Sequence, residues 1–75
     1  MIKEHDRIVL TGDVPAVGLR TGDVGTVVHI YEGSRAYEVE FVTLDGQTAA
    51  VVTLEAANVR PVRSQEITHA RERVA

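Results

Sequence analysis

The sequence predicts an all-β fold: a small five-stranded barrel, closed or half-closed. Three observations predict it. Residues 18–31 form a glycine-punctuated turn that runs straight into a β-branched strand. Tyr37-Glu38-Val39-Glu40-Phe41 alternates with a period of two, which marks a half-buried antiparallel strand. Five short β-rich runs are separated by tight turns, and a flat sheet of that size would leave long open edges that closure removes.

In chain order, the first strand is expected over residues 6–10, with Ile8 and Leu10 on one face. Thr11-Gly12-Asp13 ends it, and Pro15 pushes Val14 away from the α region. A loop then runs to Thr21, with Val17 and Leu19 as apolar anchors on the core. Thr-Gly-Asp-Val occurs at Thr11 and again at Thr21, which reads as two similar turns rather than a repeat. Gly18 punctuates the loop. Gly22-Asp23 is a tight turn, because Gly takes φ > 0 cheaply and Asp bonds its neighbouring backbone. Gly25 marks close backbone approach or a bulge.

The second strand, residues 25–31, is apolar on both sides over Val27-Val28 and is expected to be central and buried. Glu32-Gly33-Ser34 turns the chain. The third strand covers 36–43, with Tyr37, Val39 and Phe41 one way and Glu38 and Glu40 the other. Asp45-Gly46 suits a two-residue type I′ hairpin. The fourth strand covers 48–54, a single 3₁₀ turn follows to Asn58, and residues 59–62 return as a short edge strand that tolerates Pro61. The expected core is Ile8, Leu10, Val27, Ile30, Val39, Phe41, Val52, Leu54 and Val59, with Leu19 as a lid. From Ser64 the pattern changes, and Ile67, Ala70 and Val74 sit at helical spacing. Residues 1–63 are read as the barrel and 64–75 as a flexible or helical tail, frayed or docked.

Seventy-five residues make one domain. There are no cysteines, so no disulfide and no thiolate metal site. No run approaches a membrane span and the start is too charged for a signal peptide, so a soluble, cytoplasmic protein is expected. The chain holds 11 acidic and 8 basic side chains, net −3. Residues 1–59 hold nine acids against four bases, whereas the rest holds Arg60, Arg63, Arg71 and Arg73 against Glu66 and Glu72. That balance disfavours a nucleic-acid binder, and the three aromatics Tyr31, Tyr37 and Phe41 leave little for base stacking.

With these residues laid out, the chain resembles an SH3-like barrel. Gly22-Asp23-Val24-Gly25-Thr26-Val27 is similar to the Gly-x-x-Gly-x-Val core of the KOW motif of ribosomal and transcription-elongation proteins. Over nearly its whole length the chain resembles the small bacterial family called domain of unknown function 4926 (DUF4926). The resemblance is carried by Asp6, Val9-Leu10, Asp13, Pro15, Gly18-Leu19, the run 22–28, Tyr37-Glu38-Val39-Glu40-Phe41, Leu54 and Val59-Arg60-Pro61. It implies a stand-alone barrel whose gene sits beside other small genes, with toxin–antitoxin or immunity pairing as one meaning. It brings no catalytic residues.

Candidate chemistry is sparse. His5, His29 and His69 have no recognised ligand spacing, so no metal and no cofactor is expected. Ser34 and Ser64 have no evident base, Glu38 and Glu40 read as a solvated strand face, and a barrel this small is expected to lack a cavity of roughly 300 Å³. An enzyme is therefore not expected. The SH3-like resemblance places a protein-binding surface at Val14, Pro15, Val17, Leu19, Tyr31 and Tyr37, with Arg60 and Arg63 nearby, and Glu32 and Asp45 at hairpin tips suited to a basic partner. The reading is a non-enzymatic interaction module, of antitoxin, immunity or regulatory type. The alternative is a KOW-like RNA-binding protein using Arg60, Arg63, Arg71 and Arg73 with Arg20 and Arg35. Edge strands and a Val-rich surface leave homo-oligomerisation open.

Overall fold

The period-two runs form strands, as the computed structural model shows over the residues it describes, 1–73. The strands are β1 (Arg7–Leu10), β2 (Val24–Ile30), β3 (Ala36–Val42), β4 (Thr48–Glu55) and β5 (Val59–Pro61). They make one antiparallel sheet in the order β4-β3-β2-β1-β5. Four strands meander and the fifth returns to the first, the SH3-like arrangement. Among the described residues no ladder joins β4 to β5, so hydrogen bonds do not close the sheet into a full ring. A 3₁₀ turn, Ala56–Asn58, leads into β5 as expected.

The core is built from one face of each strand. Ile8, Leu10, Val27, Tyr37, Val39, Phe41, Leu54 and Val59 are buried there, with Leu19 from the loop as a lid. Ile30, Val52 and Ala50 pack at its margin. Gly25 lies across from Val39 and Phe41, so the expected close approach is real.

Several expectations are corrected. Val28 is not buried but 39% exposed. It points away from the face that Val27 fills, and a register shift against β3 adds a residue between Val27 and His29. The extra residue reverses the alternation, so His29 faces solvent and Ile30 turns back toward the core. The β3–β4 connection is not a type I′ turn. Gly46 N donates to Thr43 O at 2.9 Å, and only Gly46 in that turn has positive φ (93°), whereas type I′ needs it at both central residues. The register shift beside Val42 makes this the longer, bulged kind of hairpin. A 3₁₀ turn at Pro15–Val17, unforeseen, replaces an irregular loop.

The tail is not helical over its described part. A segment that short is marginal as an isolated helix, and Glu66 is drawn back to Arg60 and to the Arg63 amide instead. Val74, the last of the residues at helical spacing, lies outside the described residues. No helix of the described residues is long and apolar enough to cross a membrane.

Candidate functional site

The β1–β2 loop is a built structure. Val14 and Leu19 form an isolated bridge, with Val14 N donating to Leu19 O at 2.9 Å and Leu19 N to Val14 O at 3.1 Å. Between them Pro15 starts the 3₁₀ turn, where its missing N–H costs nothing. Gly18 ends the turn with φ 72°, a conformation that favours glycine. The two Thr-Gly-Asp-Val runs clasp each other. Asp13 Oδ1 accepts from the Thr21 amide at 2.8 Å and the Thr21 hydroxyl at 2.9 Å. Those hydrogen bonds hold the Asp13 carboxyl below its usual range.

Bridge and clasp decide which loop side chains face out. Val14 and Val17 pack against the core and are half-buried, whereas Pro15 and Ala16 are exposed. An open groove of about 560 Å³ lies beside them, lined by Asp13, Pro15, Ala16, Val17, Arg20 and Arg73 above Gly18 and Leu19. A second, of about 470 Å³, lies between the Gly22-Asp23 turn and the β3–β4 loop. The expectation that no space of this size exists is therefore revised. Both grooves lie outside the barrel, because the interior is filled by side chains.

The second turn is tied to the tail. Asp23 Oδ2 accepts from the Arg20 amide at 2.8 Å. Arg71 Nε donates to Asp23 Oδ1 at 2.9 Å, and Arg71 Nη2 donates to Asp23 Oδ2 and to the Gly18 carbonyl, the latter at 3.0 Å. Partial burial pushes the Asp23 carboxyl up, but the hydrogen bonds from Arg71 and the Arg20 amide, with both positive charges, outweigh it and hold the carboxyl low. Further along, Arg60 meets Glu66 as a two-pronged pair, at 3.0 and 2.6 Å.

The eight residues expected to form one surface are split. Pro15 and Val17 lie on the loop groove, with Val14 turned inward beneath. Leu19 is 4% and Tyr37 6% exposed, so both are core and neither presents a side chain to a partner. The parity that puts Val39 inside puts Tyr37 there too. Tyr31 lies elsewhere: its hydroxyl donates to Glu38 at 3.2 Å and its ring meets His29 edge-on at 4.6 Å. Arg60 is held by Glu66, and Arg63 is exposed. Of the turn residues, Gly18, Gly22 and Gly46 have positive φ, as their roles require, and Asp45 accepts from the Thr43 hydroxyl. Sequence reasoning missed Asp13 as a clasp and the Asp23–Arg71 pair. The doubled Thr-Gly-Asp-Val was the signal for the first; the second had none.

Among the described residues no three His, Cys, Asp or Glu side chains converge as metal ligands.

The Glu66 clasp gives a pH prediction. Hydrogen bonds from Arg60 and then the Arg63 amide pull Glu66 from 4.5 to about 2. A lowered folded value means that its contribution is complete above the unfolded value and is lost as pH falls through the folded one. The tail's first clasp is thus expected to hold at neutral pH and to open only between about 4.5 and about 2. The Arg63 amide resonance, followed by NMR, reports the midpoint, and Arg60→Ala is expected to move it up toward 4.5.

A family model, described as a domain of unknown function (DUF4926), matches residues 4–61. No curated protein and no solved structure matches the chain.

Proposed function

The chain belongs to the DUF4926 family, and on that premise we propose that it is a non-enzymatic protein-interaction module whose contact surface is the β1–β2 loop. The observation that carries this is the loop itself. Its exposed Pro15 and Ala16 are presented on a bridged 3₁₀ turn closed by Asp13, so little freedom is lost when they are covered. The acidic body, nine acids against four bases over residues 1–59, favours a basic partner through long-range steering. An antitoxin, immunity or regulatory role in the cytoplasm fits such a module. A KOW-like RNA-binding role has less support, because Arg60 and Arg71 are engaged by Glu66 and Asp23.

The test is capture from native lysate on immobilised wild type and on Ala16→Arg, a change at an exposed position. Wild type is expected to retain one protein at equal stoichiometry, released as salt rises, and the variant about tenfold less. Equal retention by both, or no stoichiometric protein on wild type, overturns the reading. RNA recovered in its place supports the alternative.

A further inference from the structure

The tail is attached in an unusual way. From Val62 to Arg73 the backbone makes one hydrogen bond to other backbone among the described residues, Glu66 N to Arg63 O at 3.4 Å. What holds the segment is two arginine clasps, Arg60 on Glu66 and Arg71 on Asp23. The anchors flank one row of the sheet: Val9 pairs with Arg60 on one side and with Val24, the neighbour of Asp23, on the other. Val9 is 6% exposed although it is outside the core cluster, so its face of β1 is covered. Held at Arg60 on β5 and at Asp23 ahead of β2, the tail is a strap that runs from one side of β1 to the other.

The strap is a poor fit for what it crosses. The groove beside Asp23 is lined by Val24, Val42 and Leu44, which remain 44%, 52% and 81% exposed. Ile67, the strap's own large apolar side chain on that groove, is 90% exposed. What fits closely at this end is Arg71, whose planar fork meets both Asp23 oxygens and the Gly18 carbonyl. Three acceptors arranged around a guanidinium select arginine over lysine.

We propose that Asp23 and the Gly18 carbonyl form a receptor for a peptidyl arginine, that Arg71 fills it in cis, and that an arginine-bearing segment of a basic partner protein displaces Arg71 on binding. This rests on the interaction reading above. The acidic body draws such a segment in. Apolar residues beside its arginine reach Val24, Val42 and Leu44, which the strap leaves uncovered, and give the partner contacts that Arg71 lacks. They are needed, because a tethered competitor acts at an effective concentration in the millimolar range, on the order of 1 mM.

The probe is a synthetic peptide of residues 64–73, titrated into full-length Arg71→Ala and followed by NMR shifts of the Gly18 and Asp23 amides. Saturable binding to Arg71→Ala, and at least tenfold weaker binding to wild type, is the expected result. Adding Asp23→Asn is expected to weaken the peptide at least tenfold. A peptide with lysine in place of Arg71 tests the same point without touching the fold, and is expected to bind at least tenfold more weakly. No binding to Arg71→Ala, or equal binding of the arginine and lysine peptides, overturns the proposal. So does a wild-type dimer that Arg71→Ala abolishes, which assigns the receptor to a second copy's tail. The titration needs no natural partner, so its failure leaves the lysate result standing, and an empty lysate capture leaves the receptor intact.

Discussion

Phe41→Ala is expected to lower the unfolding free energy by about 3–5 kcal/mol. Phe41 is 3% exposed on β3 and is the chain's one phenylalanine. It pairs in register with Ala50 on β4 and reaches across to Gly25 on β2, so it fills space between small residues that cannot expand to replace it. Truncation therefore removes buried area and leaves a cavity that collapses poorly. A chain this short buries only about 60% of its unfolded surface, and about 4–11 kcal/mol is the usual total for its length. A loss of that size takes a large share of that total. Urea denaturation followed by circular dichroism measures it. Val51→Ala is the control: Val51 is 49% exposed on the other face of β4, and a change within about 0.5 kcal/mol is expected. A Phe41→Ala midpoint equal to that of wild type would mean the core is not where the structure puts it.

The second large effect comes from adding atoms. Gly25→Ala is expected to cost about 1–3 kcal/mol and Gly25→Val more. A Cβ on Gly25 would lie 2.5 Å from Val39 Cγ1 and 2.9 Å from Phe41 Cε2. Neither neighbour is a flexible side-chain end free to swing away, since Val39 is fully buried and Phe41 nearly so. The backbone of β2 must lift from β3, which strains the pairing on both sides of the Val28 bulge. Gly12→Ala is the matched control, with nothing within 4 Å of the added carbon, and is expected to change stability by less than about 0.5 kcal/mol. Val39→Ala removes the nearer clash. Combining it with Gly25→Ala is expected to cost less than the sum of the two single changes, and strict additivity in that double-mutant cycle would count against the close approach.

Both effects were legible in part. The alternation of Tyr37, Val39 and Phe41 names one face of a strand, and Gly25 ahead of a β-branched run marks a crowded place. The same alternation puts Tyr37 in phase with the core, and a residue in phase with the core cannot also meet a partner. The loop was half legible. Val14, Pro15 and Val17 stand out as apolar in a turn, but spacing does not say that the bridge to Leu19 turns Val14 inward and leaves Pro15 and Ala16 out.

By itself, the sequence determined the class of fold, the five strands, the 3₁₀ turn before the last of them and most of the core. Those features are written locally, in side-chain period and in glycines that take φ values other residues avoid. Only the tertiary structure decided the rest. The bulge at Val28 reverses the faces of His29 and Ile30 because β3 offers one residue against two. The strap closes because Arg71 meets Asp23, 48 residues away in the chain. A pairing over that distance depends on where the whole sheet brings two segments together, and no short-range pattern in the chain encodes it.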